Sequence, residues 1–160
     1  MLITFWEPIK LSIIVTIAAG IIVVITGTLF GLLFAKKQFK GKILVETIFM
    51  LPLVLPPSVI GFLLIVVFGN QGVIGTWIKE IFGHSIIFTS YAAVIAATVV
   101  AFPLMFQTAK AGFQGVHRKF EEAAKDLGAT NFQVFLRVSL PLAKRALLTG
   151  TVLSCARALG

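Results

Sequence analysis

The stretch from Leu11 to Ala35, LSIIVTIAAGIIVVITGTLFGLLFA, contains 25 residues and no charged side chain. As a helix with a rise of 1.5 Å per residue it would span about 37 Å, enough to cross the roughly 30 Å hydrocarbon core of a bilayer with some tilt. It is longer than the apolar region of a signal peptide, which has about 7–15 residues. Lys36 and Lys37 follow it directly. The stretch therefore predicts a retained membrane-spanning helix.

The composition of the whole chain agrees with this prediction. Its 160 residues are 58% hydrophobic and 12% charged, and the mean hydropathy is +1.03. Soluble domains are about 45–50% apolar and about 25% charged. So apolar a chain must bury its surface, which excludes a disordered protein, and so few charges could not cover a small soluble globule. The fold class we predict is all-α, a polytopic bundle of transmembrane helices.

Three further apolar runs, 43–69, 86–109 and 142–160, predict three more spans. The excess positive charge of +8 lies in two intervening loops, 36–42 and 110–145. Loops rich in Lys and Arg remain in the cytoplasm, so we expect both loops there and the amino terminus and residues 70–84 outside. This distribution argues against nucleic-acid binding. The fourth run would end inside the bilayer at Gly160, so we expect a fragment whose fourth span is incomplete.

The second run is interrupted by Pro52, Pro56 and Pro57, which cannot all lie in a regular helix because proline lacks an amide donor and clashes with the preceding turn. Irregular backbone at membrane depth is tolerated where it is buried in protein or lines a cavity. The segment is therefore either a kink that only packs or a bend beside a substrate route. Nearer the cytoplasm, Lys42 and Glu46 have the spacing of an ion pair within a helix.

Arg157 is the charged residue well inside an apolar run. A charge in the membrane is a candidate functional group, and its positive sign suits a passing dianion. The alternative is an arginine satisfied by neighbouring groups or reaching the outer interface. We therefore treat Pro56, Pro57 and Arg157 as candidates for a translocation path. The single Cys155 forms no disulfide within the chain, and we expect neither a catalytic group nor a metal site.

The loop 110–141 is too long for a simple connector of about 2–8 residues. Residues 120–127 are good helix formers, and Gly128 follows where a helix ends. Thr130 and Gln133 have the spacing of a capping box, which predicts a second helix running to Pro141. The loop is either a docking platform for another protein or an amphipathic segment resting on lipid headgroups.

The pattern Glu122-Ala123-Ala124-x-x-x-Gly128, nine further residues and Val138-x-Leu140-Pro141 resembles the EAA loop of type I ABC importer permeases, in which Ile occupies the position of Val138. By that resemblance the loop is a coupling helix, and Glu122, Ala123, Ala124 and Gly128 dock it on a cytoplasmic ATP-binding subunit. The resemblance also implies two partners, an external binding protein and a second permease copy, and a location in the cytoplasmic membrane. The chain would be no enzyme and would bind no cofactor, since ATP and Mg²⁺ would belong to the partner subunit.

The segments 51–61, 102–105 and 156–160 resemble the corresponding segments of molybdate permeases. Sulfate and tungstate permeases have related segments, so the choice among these oxyanions stays open. Two other classes are a transporter or channel that needs no ATPase and a purely structural membrane subunit. The pattern from Glu122 to Pro141 argues against both.

Overall fold

The computed structural model describes residues 3–69, 72, 75, 76, 80 and 89–160. Within these residues it contains helices and no β-strand, so the prediction of an all-α fold is confirmed. The helices are α1 (Ile3–Lys36), α2 (Lys42–Val54), α3 (Pro57–Phe68), α4 (Ser90–Gln114), α5 (Arg118–Asp126), α6 (Asn131–Val134) and α7 (Leu140–Leu159), and a π-helical segment at Phe135–Ser139 joins the last two.

Two of the described helices are long and apolar enough to cross a membrane, over Trp6–Lys36 and Ser90–Gln114. The first contains the predicted span 11–35. The second continues beyond its predicted end at residue 109, so the predicted loop 110–141 begins inside α4. Its predicted beginning at 86–88 and most of the predicted outer loop 70–84 lie outside the described residues.

The proline-containing run forms two helices, α2 and α3, which would provide a third crossing together and are bent by 117° where they meet. The break lies at Leu55 and Pro56, both of which are extended, with ψ of 141° and 142°. Each of these residues precedes a proline, which disfavours the helical conformation. Pro57 begins α3, where a missing amide hydrogen costs nothing. Pro52 lies inside α2, so the expectation that it interrupts the helix is wrong.

The helices pack around α4, which contacts both α1 and α7 extensively. Five phenylalanine rings join α1, α2 and α4, with neighbouring ring centroids 5.2 to 6.0 Å apart. The rings belong to Phe30, Phe34, Phe49, Phe102 and Phe106. Because lipid tails are as apolar as these side chains, helices in a membrane associate through close packing of this kind.

The spacing of Lys42 and Glu46 predicts an ion pair between them, but Glu46 pairs with another residue. Its Oε1 lies 2.7 Å from Nζ of Lys110 on α4, and both side chains are about four-fifths buried, with 21% of each exposed. Lys42 is buried, and its ammonium donates to the carbonyl of Lys37, just beyond the end of α1, at 3.2 Å. The carbonyl end of a helix attracts a cation, which explains why the ammonium of Lys42 binds there and not to Glu46.

Pro141 does not end the second helix of the loop, contrary to expectation. It lies in the first turn of α7, and the helical path continues from α6 through the π-helical segment. Directly after that segment Leu140, the first residue of α7, donates its amide to the carbonyl of Phe135, five residues earlier. The predicted fourth span, 142–160, corresponds to α7. This helix is not among the described helices apolar enough to cross, so its crossing stays a prediction.

Candidate functional site

The helix α5 and the turn after it carry the residues of the EAA pattern. The amide of Gly128 donates to the carbonyl of Lys125 at 2.8 Å, and the amide of Ala129 donates to that of Ala124 at 3.0 Å. Gly128 has φ of +86°, a left-handed conformation that a side chain would strain. These two bonds define a Schellman motif. The predicted helix end at Gly128 is therefore confirmed.

The next helix begins with the predicted capping box. The amide of Gln133 donates to Oγ1 of Thr130 at 3.3 Å, and the amide of Thr130 donates to Oε1 of Gln133 at 2.9 Å. Together they satisfy two amides that would otherwise lack a partner at the helix start. The turn between α5 and α6 is thus fixed from both sides by local hydrogen bonds.

The structure brings the four predicted docking residues together on α5 and its turn. Glu122, Ala123 and Gly128 are exposed and Ala124 is half-buried. Ala124 and Gly128 line an open cavity of about 300 Å³ between α5 and the segment that follows it. Large apolar side chains nearby are also exposed, namely Phe120, Leu127 and Phe132, with 89% of Leu127 accessible. Small residues beside exposed apolar ones form a surface that suits close packing with another protein.

One side of α5 is attached to the rest of the bundle by a polar cluster on Glu121. Its Oε1 lies 2.7 Å from Nζ of Lys36, the last residue of α1, and accepts a hydrogen bond of 2.6 Å from the hydroxyl of Ser139. Lys36 also reaches that hydroxyl at 3.4 Å. Ser139 is fully buried and Glu121 is 16% exposed. The cluster joins α5 to α1 and to the helical path into α7.

The electrostatics of Glu121 favour its ionised form. Burial acts to raise the pKa of this carboxyl, but the hydrogen bonds from Lys36 and Ser139 and the charges of Lys36 and Lys125 outweigh that effect. The pKa of Glu121 therefore lies below its ordinary value of 4.5. At neutral pH the carboxylate of Glu121 therefore accepts a hydrogen bond from the ammonium of Lys36. Hydrogen bonds between two ionised groups are stronger than those between neutral groups.

The three candidates for a translocation path lie in different parts of the bundle. Pro56 is exposed at the break between α2 and α3, and Pro57 begins α3. Arg157 lies near the end of α7 and is half-buried; its buried Nε has no hydrogen-bond partner among the residues that the structure describes. α3 and α7 each pack on α4. Their role in a path stays a prediction.

The Glu121 cluster and the ion pair between Glu46 and Lys110 are features that we did not predict from the sequence. Lys36 and Glu121 are 85 residues apart, and no local pattern marks such a pair. In the described part of the chain, no three His, Cys, Asp or Glu side chains are grouped so that they could hold a metal ion.

Comparison with known proteins agrees with the predicted fold. The family of binding-protein-dependent transport system inner membrane components matches residues 27–160. The Bacillus subtilis (strain 168) protein YvgM, provisionally named a molybdenum transport system permease, is 53% identical over 98% of this chain and 69% of its own length. The molybdenum transport system permease protein ModB of Escherichia coli (strain K12) is 40% identical over 97% of this chain and 68% of its own length.

A third relative is named for a different substrate. The cysT protein of Prototheca wickerhamii, provisionally named a sulfate transport system permease, is 39% identical over 91% of this chain and 58% of its own length. The family match covers most of the chain, including the EAA pattern, the whole of the apolar helix Ser90–Gln114 and the last ten residues of the apolar helix Trp6–Lys36. This chain is therefore a membrane protein that belongs to the family of inner-membrane components of binding-protein-dependent transport systems, as its resemblance to type I ABC importer permeases implies.

Proposed function

We propose that this chain is the permease subunit of an ABC importer that moves molybdate into the cytoplasm. The observation that carries the importer assignment is α5, an exposed helix with the EAA pattern that ends in a left-handed turn at Gly128 and is attached to two long helices. The relatives named for molybdenum transport support the substrate. A sulfate permease is the second candidate, because a relative named for sulfate is 39% identical. Tungstate is a further alternative.

The partner that docks on α5 is a cytoplasmic ATP-binding subunit, which would bind ATP and Mg²⁺ and hydrolyse the nucleotide. In this proposal Ala123 and Ala124 permit close approach, Glu122 offers an exposed carboxylate and Gly128 shapes the turn. The exposure of Glu122, Ala123 and Gly128 supports the docking role, since a docking surface must be accessible on the free subunit.

The proposed orientation puts the amino terminus outside and the loops 36–42 and 110–145 in the cytoplasm. The Lys residues of the first loop and the basic residues of the second favour that side of the membrane. The contact between Lys36 and Glu121 supports it as well, because it requires the end of α1 and α5 to lie on one side. An external binding protein would deliver the oxyanion, and two permease copies would line one path.

The candidate path contains Arg157 and the break at Pro56 and Pro57. The partly buried guanidinium of Arg157 supports this role, because a buried cation can attract a dianion in passing. The substitution Arg157→Gln in the complete transporter should lower molybdate uptake while the complex still assembles. Arg145→Gln is the matched control, since Arg145 is exposed on the same helix. Normal uptake by the Arg157 variant would exclude Arg157 from the path.

The function is tested by uptake of labelled molybdate into vesicles that carry the complete permease, its ATPase subunit and its binding protein. Unlabelled sulfate or tungstate is added in parallel. Uptake that requires ATP and resists excess sulfate would support the molybdate importer, whereas block by modest sulfate would move the substrate to sulfate. Uptake that persists without the ATPase subunit would indicate a secondary transporter or channel and would contradict the proposal.

A further inference from the structure

Three helical segments that are distant in the sequence meet at a single oxygen atom. Oε1 of Glu121 on α5 contacts the ammonium of Lys36 at 2.7 Å and the hydroxyl of Ser139 at 2.6 Å. Lys36 is the last residue of α1, and Ser139 is the last residue of the π-helical segment before α7. One carboxylate therefore holds the end of one long helix and the beginning of another.

The contact is shielded from solvent more than an ordinary surface ion pair. Ser139 is fully buried, Glu121 is 16% exposed and Lys36 is 39% exposed. Water and salt screen such partly buried contacts less than exposed ones. Two donors on the same oxygen, one of them charged, also restrict where the carboxylate can lie.

Apolar packing contributes little to holding α5 in place. None of its nine residues is buried. A cavity of about 390 Å³ lies beside the cluster, lined by Lys36, Phe113, Gln114, Arg118, Glu121 and Lys125, among others. A helix with no buried residue that borders such a cavity has little close packing through which to pass a displacement to its neighbours. The polar cluster and the two flanking turns connect α5 to the bundle.

We propose that Glu121, Lys36 and Ser139, called here the Glu121 joint, transmit the movement of α5 to α1 and α7 during transport. Glu121 is then a positioning residue, distinct from the adjacent docking residue Glu122. The inference rests on the proposed function, because it needs an ATPase subunit that moves α5. Movement at the joint reaches the rest of the bundle because α1 and α7 both pack on α4.

The test uses the complete transporter in proteoliposomes, with the ATPase subunit and the binding protein. Glu121→Gln keeps the size of the side chain and removes its charge. We expect the ATPase subunit to stay bound in a pull-down, while the molybdate taken up per ATP hydrolysed falls about fivefold or more, the range of coupling between linked sites. Lys36→Met should have the same effect, and Lys36→Arg, which keeps the charge, should retain coupling.

Two comparisons separate a joint from general damage. If Glu121 and Lys36 act as one unit, the double variant Glu121→Gln/Lys36→Met should be no worse than the poorer single variant. Glu7→Gln removes a carboxylate from the other end of α1, where Glu7 and Lys10 are exposed and 3.8 Å apart, and should leave coupling unchanged. Defects that multiply in the double variant would mean that the two residues act independently, which contradicts the joint.

A second measurement does not depend on transport. Hydrogen exchange at residues 30–36 is compared with and without a non-hydrolysable ATP analogue in the permease–ATPase complex. In the wild type the analogue should change the exchange rates at α1 as well as at α5. In the Glu121→Gln variant it should change the exchange rates at α5 alone. If α1 still responds in the variant, the inference is overturned. A wild type that couples α5 to α1 but takes up neither molybdate nor sulfate would instead overturn the proposed substrates and leave the joint supported.

Discussion

Gly31 on α1 lies against Ala109 on α4 so closely that a Cβ on Gly31 would be 2.6 Å from that of Ala109. It would also be 2.9 Å from the backbone nitrogen of Lys110, which cannot turn aside. Gly27, one turn earlier, meets Met105 in the same way, with 2.6 Å to its Cγ. The pair Gly27-x-x-x-Gly31 therefore serves helix packing within the chain.

Gly31→Ala should destabilise the contact between α1 and α4. Overpacking of a tight interface costs about 1–3 kcal/mol, and for a chain of this size about 1 kcal/mol shifts the melting temperature by roughly 2–4 °C. The measurement is thermal unfolding of the detergent-solubilised permease. Gly61→Ala is the matched control, because a Cβ at Gly61 meets no atom within 4 Å. Equal stability of the two variants would contradict the tight contact.

The ion pair between Glu46 and Lys110 should stabilise the attachment of α2 to α4. Either Glu46→Gln or Lys110→Met leaves the other charge partly buried and unpaired, at an expected cost of about 1–2 kcal/mol, below that of a fully buried pair because 21% of each side chain is exposed. The double variant should be less destabilised than the single variants added together. Simple additivity in thermal unfolding would show that the two groups do not interact.

Gly128→Val should weaken docking of the ATPase subunit and leave membrane insertion intact. The left-handed conformation at φ +86° costs a residue with a Cβ about 1–2 kcal/mol, and about 1.4 kcal/mol is tenfold in an equilibrium constant. The equilibrium constant for docking should therefore fall about five- to thirtyfold, and a pull-down from detergent at subsaturating partner should recover correspondingly less of the ATPase subunit. Gly115→Ala is the control, since Gly115 has φ of −71° and room for a Cβ. Full recovery with Gly128→Val would remove the turn from the docking surface.

The attachment of α5 should depend on pH through Glu121. The pKa of this carboxyl is lower in the folded chain than its ordinary value of 4.5, so its stabilising contribution is present above about pH 4.5 and is lost as the pH falls through the lower folded value. Protection of α5 amides from hydrogen exchange, corrected for the intrinsic rate, should decline over that range. Glu121→Gln should lack this component. An identical decline in the variant would assign it to other groups.

Several features of this protein could be predicted from the sequence because they depend on neighbouring residues. The long helix α1 follows from 25 uncharged residues, and the end of α5 follows from the glycine at position 128. The capping box of Thr130 and Gln133 needs residues three apart. The break at Leu55 and Pro56 follows from consecutive prolines. In each case the responsible atoms lie within one or two helical turns.

The proline positions show where a local rule fails. Pro52 and Pro141 both lie within helices, although a proline removes an amide donor in either place. At Pro141 the π-helical segment beforehand redistributes the carbonyl bonds, and Leu140 donates five residues back. A proline inside a helix costs about 3 kcal/mol, but the helix can still form when the surrounding structure provides such an adjustment.

Sequence alone determined that the chain is helical, apolar enough for a membrane and marked by a helix–turn–helix with the EAA pattern, because hydropathy, capping and glycine conformation act over a few residues. Only the tertiary structure decided that Glu46 pairs with Lys110, that Gly31 packs on Ala109 and that Glu121 joins Lys36 to Ser139. These partners are between 18 and 103 residues apart in the sequence. A charged or small residue has many possible partners at such distances, and the packing of α1, α4 and α7 selects one.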